Sequence, residues 1–248
     1  MLTTDELERY DRQIMIEGFG AEGQEKLKRA KALIVGTGGL GSPVAIYLTA
    51  AGVGTIRIID HDSVEPSNLN RQVLHWDENI GMRKAESAAE KLRKLNPWVK
   101  IEAVTETVNE ANVSQLTADV DLIVDALDNL PTRYLLNKAA IAKNIPFFHG
   151  AVYGFEGRAM TIIPGETACL KCVYRDAVTP REKFPVIGVT PAVIGCIQAT
   201  EVIKYIAGLG KPLTNILLNY DALEMKFTEL KVKRDPECAH CGHLANKG

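Results

Sequence analysis

Hydrophobic residues in this chain fall into short runs separated by amphipathic stretches with helical spacing. Apolar runs typical of buried strands occupy residues 31–35, 55–60, 98–104, 120–126 and 146–152. Stretches with helix-forming composition lie between them, at residues 42–53, 81–96, 109–118 and 132–143. Alternation of strand and helix predicts a Rossmann-like, doubly wound α/β fold with a mostly parallel sheet.

The pattern changes after Gly150. It predicts a strand over residues 157–164, a polar segment over 174–187, an apolar helix over 189–207 and a closing hairpin of 215–220 and 224–232. Strands that follow one another without helices are typical of antiparallel pairing, so we expect antiparallel strands added to the parallel sheet.

The N-terminal residues predict a helical arm. Residues 4–17 favour a helix with Thr4 as its N-cap and acidic residues in its first turn. We expect a single domain in which residues 1–30 form the arm, 31–152 a nucleotide-binding half and 153–248 a second half.

A glycine-rich turn connects the first strand to its helix. It contains Gly36, Gly38, Gly39 and Gly41, and Pro43 follows near the first helical turn. A helix N-terminus offers free N–H groups and a positive dipole end to a phosphate, and glycines let the backbone approach it closely. Asp60 ends the next strand, where an acidic residue usually binds a ribose. This order predicts a mononucleotide or dinucleotide site rather than an empty tight turn.

Two further segments lie where ligands of α/β sheets bind. The polar connection 64–80 is long for a compact domain, which indicates a functional loop, and its Leu69, Val73, Leu74 and Trp76 predict that it packs. Asp128 and Asn129 follow the strand 120–126. Because ligands lie beyond the carboxyl ends of parallel strands, we expect Asp60 and Asp128 to face one crevice.

Composition narrows the class of protein. Hydrophobic residues make up 46% and charged residues 24% of the 248 residues, values typical of a globular protein. The formal net charge of −2 gives no electrostatic footprint for nucleic acid. No apolar run is long enough to span a membrane, and the acidic N-terminus carries no signal-peptide core. We therefore expect a cytoplasmic protein that binds neither nucleic acid nor membrane.

Four of the five cysteines form two CxxC pairs, Cys169/Cys172 and Cys238/Cys241. Two such turns can complete a tetrahedral Zn²⁺ site, which we expect to be structural because four sulfurs leave no open position. A redox CxxC and a pair of disulfides are the alternatives. His240 and His243 are interpreted as surface residues, and Cys196 as a small buried hydrophobe.

Several motifs together resemble one family. They are RYDRQI at 9–14, GTGGLG at 36–41, the Asp, Asn, Arg and Gln series from Asp60 to Gln72, Lys84, DALDN at 125–129, and the two CxxC pairs. The chain resembles, over about residues 5–242, the MoeB/ThiF/HesA-type adenylyltransferases of the ubiquitin-activating enzyme superfamily.

The resemblance implies a reaction. Such enzymes use ATP and Mg²⁺ to adenylate the C-terminal glycine carboxylate of a small β-grasp, ubiquitin-like sulfur carrier ending in Gly-Gly, and they release pyrophosphate. A carboxylate that attacks a phosphate needs positioning and positive charge, not a protein nucleophile. The resemblance also implies a homodimer.

Roles for individual residues follow from the same resemblance. Arg71 and Lys84 would neutralise phosphate charge, Asp128 would bind Mg²⁺, and Arg12 would reach the ATP of the partner subunit. The nucleotide site as a whole would consist of Gly36, Gly38, Gly39, Gly41, Asp60, Ser67, Asn68, Asn70, Arg71, Lys84, Asp128 and Asn129.

Each role has a purely structural alternative. Arg12 could be a solvated helix residue, and Asp128 could cap the helix after it. Arg71 could pair with Asp62 or Glu65. Lys84 has three basic neighbours, so position alone does not select it: Arg83, Lys91 and Arg93.

One departure from the family bears on the end point of the reaction. Many members carry a further cysteine before the late apolar helix for thioester or persulfide transfer, whereas residues 173–195 contain none here. We therefore expect the reaction to stop at the acyl-adenylate.

Rival functions remain open at the level of sequence. The glycine turn and Asp60 are shared with NAD-dependent oxidoreductases, although no second catalytic domain is evident. A non-catalytic nucleotide-binding scaffold, and an enzyme that activates another carboxylate, are further alternatives. The sequence does not distinguish carriers for molybdopterin, thiamine or thiolated tRNA.

Overall fold

A continuous eight-stranded sheet runs through the part of the chain that the computed structural model describes, residues 1–175 and 184–244. Its strands are β1 (Lys31–Val35), β2 (Thr55–Ile59), β3 (Lys100–Val104), β4 (Leu122–Asp125), β5 (Phe147–Tyr153), β6 (Glu156–Ile162), β7 (Ile216–Asp221) and β8 (Lys226–Lys231). They lie in the order β3-β2-β1-β4-β5-β6-β7-β8. The first five strands pair in parallel and the last four pair antiparallel, which confirms the predicted fold class.

Helices connect the strands as the alternation predicts. They are α1 (Thr4–Arg9), α2 (Asp11–Ile14), α3 (Gly20–Arg29), α4 (Gly41–Ala51), α5 (Lys84–Leu95), α6 (Val113–Leu116), α7 (Leu130–Lys143), α8 (Leu170–Val173) and α9 (Val189–Ala207). Two short 3₁₀ turns, Pro66–Asn68 and Asp77–Asn79, lie in the long polar connection. The described helices are too short or too polar to cross a membrane.

The sheet is buried on both faces, and the two faces have separate cores. Along β1, Ala32 and Ile34 contact the core under α4, α5 and α9, while Leu33 and Val35 contact the core under α6 and α7. This alternation follows from the two-residue period of a strand. Because both faces of this parallel sheet are covered, a ligand can reach only the ends of its strands.

The N-terminal arm differs from the prediction in two ways. The N-cap is Thr3, not Thr4, because Thr3 and Glu6 form a reciprocal capping box, which requires a glutamate three positions after the cap. The helix is also interrupted at Tyr10, whose buried hydroxyl accepts a hydrogen bond from Asn96 Nδ2 at 2.8 Å.

The helix predicted over 109–118 is reduced to the four residues of α6. Asn109 Oδ1 accepts from the backbone of Ala111 at 2.9 Å, and Asn112 Oδ1 accepts from the backbone of Asn109 at 2.9 Å. These bonds offer the backbone an alternative to helix, so the helix begins only after them.

Candidate active site

The predicted nucleotide residues follow three neighbouring parallel strands. β1 lies between β2 and β4, so the glycine turn, Asp60 and Asp128 all leave the same edge of the sheet. The chain runs from β1 outward through β2 and β3 on one side and then crosses to β4 on the other side of β1, which makes this edge the switch point where open α/β sheets bind ligands.

The four glycines of the turn differ in what the fold requires of them. A Cβ atom at Gly41 would lie 1.9 Å from Gly36 O, and one at Gly36 would lie 2.5 Å from Ala126 O. Gly36 also has a φ of +96°. At Gly38 a Cβ atom would meet only the Gln72 side chain, at 3.4 Å. Gly36 and Gly41 are therefore needed to close the turn, whereas a side chain at Gly38 would make only ordinary contact with Gln72.

Asp60 is held directly against the glycine turn. Its Oδ2 atom accepts hydrogen bonds from Thr37 N at 2.8 Å and Thr37 Oγ1 at 3.0 Å. Its Oδ1 atom accepts from Asp62 N at 3.0 Å. Sequence reasoning missed Thr37, which fixes the carboxylate that we expected to bind ribose.

A buried histidine forms a hydrogen bond with the backbone carbonyl of Thr37. His75 Nε2 lies 3.0 Å from Thr37 O, and His75 Nδ1 lies 3.0 Å from Ser87 Oγ. Burial lowers the pKa of His75 to about 4, so its ring is neutral at neutral pH. Since the Thr37 carbonyl can only accept, Nε2 carries the proton and Nδ1 accepts from Ser87. No pattern in the sequence predicts this contact.

Lys84 forms an ion pair at the same edge of the sheet. Its Nζ atom lies 2.8 Å from Asp62 Oδ2, and its side chain is only 8% exposed. Burial opposes ionisation of Asp62, but the hydrogen bond and charge of Lys84 hold the pKa of Asp62 below its ordinary value. A buried ammonium therefore lies beside the carboxylates that follow β2.

The three basic neighbours of Lys84 have other partners. Arg83 donates to His61 O, Lys91 donates to Asn79 Oδ1 and Ser87 O, and Arg93 donates to Ile101 O. Geometry therefore favours Lys84 over Arg83, Lys91 and Arg93 for the crevice.

Arg71 lies on the glycine turn. A Cβ atom at Gly39 would come within 3.6 Å of Arg71 Cγ. The guanidinium donates from Nη1 to Ser67 O at 2.8 Å and to Asn70 Oδ1 at 3.1 Å, so it does not form the alternative ion pair with Asp62 or Glu65. The other guanidinium nitrogens of Arg71 form no hydrogen bond or ion pair with the described residues.

The rest of the long connection is only partly packed. Asn68 is buried and its Oδ1 atom accepts from Glu65 N at 3.0 Å, whereas Ser67 and Asn70 are exposed. Leu74 is buried and Leu69 is half-buried, as predicted. Packing of Val73 and Trp76 was predicted wrongly, because these side chains are 59% and 53% exposed.

Asp128 and Asn129 have separate tasks in the turn after β4. Asn129 is the N-cap of α7, since its Oδ1 atom accepts from Thr132 N at 3.0 Å. The alternative in which Asp128 caps this helix is therefore wrong. Asp128 is exposed, and within residues 1–175 and 184–244 no hydrogen bond or ion pair to its carboxylate is formed.

Arg12 lies far from the glycine turn of its own chain. The neighbouring Gln13 donates to Ala51 O at 3.2 Å, at the C-terminal end of α4. The glycine turn lies at the N-terminal end of the same helix, about 15 Å away at 1.5 Å per residue. Arg12 is exposed, so the described chain does not bring it to the other predicted residues.

The four paired cysteines converge on one point. The Sγ–Sγ distances are 3.9 Å for Cys169 and Cys172, 3.7 Å for Cys169 and Cys238, and 3.5 Å for Cys172 and Cys241. The backbone N–H of Asp235 donates to Cys172 Sγ at 3.4 Å. This cluster could hold a metal ion.

Two side chains, His240 and Cys196, differ from their interpretation in the sequence. His240 is half-buried and its Nδ1 atom lies 2.9 Å from Asn137 Nδ2, so it is not a free surface residue, whereas His243 is exposed. Cys196 is half-buried, not buried, and lines a surface depression with Gln13 and Tyr47. Residues 176–183 of the predicted polar segment lie outside the described residues.

Comparison with known proteins identifies a matching family and several similar proteins. The ThiF family profile matches residues 10–240. The SAMP-activating enzyme E1 of Haloferax volcanii is 44% identical over 246 residues, which cover 97% of this chain and 91% of that protein. The molybdopterin-synthase adenylyltransferase of Escherichia coli is 41% identical over 250 residues, covering 97% and 98%.

Solved structures show the same fold. A crystal structure of E. coli MccB with ATP superposes with a TM-score of 0.84 at 27% identity. The superposition covers 94% of this chain and 74% of MccB.

The different roles of the glycines can be tested by thermal unfolding. We expect Gly41→Ala to lower the free energy of unfolding by more than about 3 kcal/mol, because its Cβ atom would overlap a backbone carbonyl. Gly38→Ala, the matched control, should change it by less than about 1 kcal/mol, since its Cβ atom makes ordinary contact. Equal losses in the two variants would contradict this division of the turn.

Proposed function

The chain belongs to the ThiF family, and we propose that it uses ATP to adenylate the C-terminal glycine carboxylate of a small ubiquitin-like sulfur carrier. The observation that carries this proposal is that Asp60 and Arg71 contact the glycine turn, while Lys84 and Asp128 lie at the same edge of the sheet. The adenylyltransferases among its relatives match nearly the whole chain, which supports the same chemistry.

The proposed nucleotide position follows from the groups around the turn. The backbone N–H groups of residues 38–41, just before and at the start of α4, donate to no described group and suit the phosphates. Asp60 keeps lone pairs on its two oxygens that can accept from a ribose hydroxyl. Lys84 and Arg71 add two cations to this side of the crevice.

The proposed reaction is a substitution at the α-phosphorus. A carrier carboxylate oxygen forms the new bond to phosphorus, the bond to the oxygen that bridges the α- and β-phosphates breaks, and pyrophosphate leaves with that electron pair. No proton has to be removed from the carboxylate, so the residues act by holding the groups and offsetting negative charge.

We place Mg²⁺ at Asp128. The carboxylate is exposed at the crevice edge and is free of bonds within the described residues, so its oxygens are available to a hard cation. Asn129 cannot offer its capping oxygen without releasing the start of α7. When bound, Mg²⁺ would offset the charge of the departing pyrophosphate.

The carrier tail is proposed to enter beside Arg71. An open cleft of about 310 Å³ lies between the glycine turn and the start of α9, with Gly39, Gly188 and Arg71 in its walls. Its other walls are mostly apolar, including Val73 and Val189, and we propose that it takes the extended Gly-Gly segment. We place the carrier on the half formed by residues 153–248 and end the reaction at the acyl-adenylate.

The dimer and the role of Arg12 belong to the same proposal. A side chain at one end of α4 cannot reach a nucleotide at the other end, because an extended arginine spans only about 7 Å. A second copy of the chain would supply its Arg12 instead. Exposed apolar side chains around α2 and α4, Met15, Ile16 and Tyr47, are suited to such an interface.

We assign the cysteine cluster to Zn²⁺ with a structural role. Four thiolates at about 2.3 Å from a tetrahedral zinc ion lie about 3.8 Å apart, close to the sulfur separations of 3.5–3.9 Å found here. The Asp235 N–H bond to Cys172 is of the kind that supports a zinc-bound thiolate.

The nucleotide assignment is tested by thermal shift and pyrophosphate exchange. ATP–Mg should raise the melting temperature, NAD should not, and Asp128→Ala should abolish the shift because it removes the metal ligand. Exchange with a Gly-Gly-ended carrier should fall by about 100-fold in this variant. Stabilisation by NAD alone, or equal exchange with a carrier that lacks its terminal glycine, would overturn the proposal.

Arg12 is tested by subunit complementation. Arg12→Ala and Lys84→Ala should each be inactive alone, yet their mixture should regain about a quarter of wild-type exchange, since half of randomly paired dimers contain one intact site. Lys84→Ala mixed with Asp128→Ala is the matched control and should stay inactive, because both residues serve the same crevice. Recovery in the control, or none in the first mixture, would contradict the shared site.

Zinc is tested by elemental analysis of purified protein. Wild type should hold about one Zn²⁺ per chain, and Cys238→Ser should hold much less and melt at lower temperature. Cys196→Ser should retain the metal. Unchanged zinc in Cys238→Ser would remove this assignment.

A further inference from the structure

A line of three polar side chains connects the first cysteine turn to the loop that carries Asp128. Tyr174 follows the CLKC motif by two positions, and its hydroxyl lies 3.2 Å from His149 Nε2. His149 Nδ1 lies 2.7 Å from Asp125 Oδ2. Asp125 is the last residue of β4, and both it and His149 are fully buried.

Only one arrangement of protons satisfies the hydrogen bonds that join Tyr174, His149 and Asp125. The Asp125 carboxylate can only accept, so His149 donates from Nδ1. Burial lowers the pKa of His149, which keeps the ring neutral and leaves Nε2 as an acceptor. The Tyr174 hydroxyl therefore donates to Nε2, and each of the three groups fixes the orientation of the next.

The second oxygen of Asp125 organises the turn after β4. Asp125 Oδ1 accepts from Leu127 N at 3.1 Å and lies 3.4 Å from Arg133 Nε. Arg133 Nη2 in turn donates to Leu127 O and, at 2.7 Å, to Gly150 O. Asp128 directly follows Leu127, whose N–H and carbonyl are both hydrogen-bonded. Because Asp128 has no bond of its own in the described chain, the turn sets its position.

The other end of the line is fixed to the cysteine turn. The Tyr174 carbonyl accepts from Tyr134 Oη of α7, and Tyr174 N donates to Leu170 O at 3.0 Å. Asn137, also on α7, accepts from Leu170 N at 3.0 Å. The Tyr174 ring is therefore held on a short, rigid segment between the cysteine cluster and α7.

We propose that Tyr174 and His149 are positioning residues that act through Asp125 to hold the 125–129 turn in the arrangement in which Asp128 binds Mg²⁺. This inference depends on the proposed function for the metal assigned to Asp128. It gives the cysteine turn a second task, because the segment it anchors also supports the nucleotide crevice.

The test compares the Mg²⁺ requirement of Tyr174→Phe with that of wild type. Loss of the hydroxyl leaves His149 Nε2 buried without a donor and loosens the line. We expect the Mg²⁺ concentration for half-maximal pyrophosphate exchange to rise about 5- to 10-fold. The rate at saturating Mg²⁺ should stay close to wild type.

Two histidine variants separate the links of the line. His149→Asn places an amide donor near the Nδ1 position, so it can keep the hydrogen bond to Asp125 while losing the hydrogen bond to Tyr174. His149→Gln reaches toward the Nε2 position and loses the bond to Asp125. The Mg²⁺ requirement should rise more in His149→Gln than in His149→Asn, whereas a purely structural loss would give no such order.

Tyr10→Phe is the matched control, because it also removes a hydroxyl that is hydrogen-bonded to a fully buried side chain, Asn96, at the far end of α4. It should lower the melting temperature without changing the Mg²⁺ requirement. An unchanged requirement in Tyr174→Phe, or an equal rise in Tyr10→Phe, would overturn the inference.

Hydrogen exchange gives a readout that does not depend on the proposed reaction. The Leu127 amide, bonded to Asp125, should exchange faster in Tyr174→Phe than in wild type, but not in Tyr10→Phe. Equal exchange in Tyr174→Phe and wild type would also overturn the inference. If wild type shows no response to ATP–Mg while Leu127 behaves as expected, the proposed function fails and the positioning of the turn stands.

Discussion

The crevice depends on how closely the end of β1 approaches the start of α4. At Gly41 and Gly36 the two backbones are nearer than any side chain allows. This approach brings the N-terminal end of α4 to the carboxyl edge of the sheet. It also places Thr37 where its N–H and hydroxyl bind Asp60 of the neighbouring strand. A carboxylate and a helix N-terminus thus share one edge because the turn between them contains almost no side-chain atoms.

The charged groups around this turn are arranged before any nucleotide binds. Lys84 is buried but offset by Asp62, and Arg71 is steadied by a carbonyl and an amide oxygen rather than by a carboxylate. Such partners orient a cation without cancelling the charge of the guanidinium. Electrostatic stabilisation is most effective when groups need no reorganisation during the reaction. The contrast between the two cations favours Arg71 as the one whose charge is free to meet a phosphate.

The sequence was sufficient to predict the order of the helices and strands and the parallel sheet, because both depend on the local spacing of hydrophobic residues. It also brought Asp60, Lys84 and Asp128 into consideration, through spacing and through resemblance. The contacts that hold these residues were not predictable. Asp62 and Lys84 are 22 positions apart, and His75 and Thr37 are 38 apart, so their pairing depends on how separate elements pack. Periodicity does not contain that information, and it likewise could not show that Trp76 remains exposed.

The position of Cys196 bears on whether the chemistry could continue beyond an acyl-adenylate within this subunit. The start of α9 contacts the Arg71 side of the crevice, since a Cβ atom at Gly188 would lie 3.3 Å from Arg71 Cβ. Cys196 is eight residues further along, about 12 Å at 1.5 Å per residue, and lines a depression with Gln13 at the opposite end of α4. Burial also raises the pKa of this thiol, which reduces the fraction present as the nucleophilic thiolate. Distance and ionisation therefore independently disfavour Cys196 as the nucleophile that would take over an activated carboxylate.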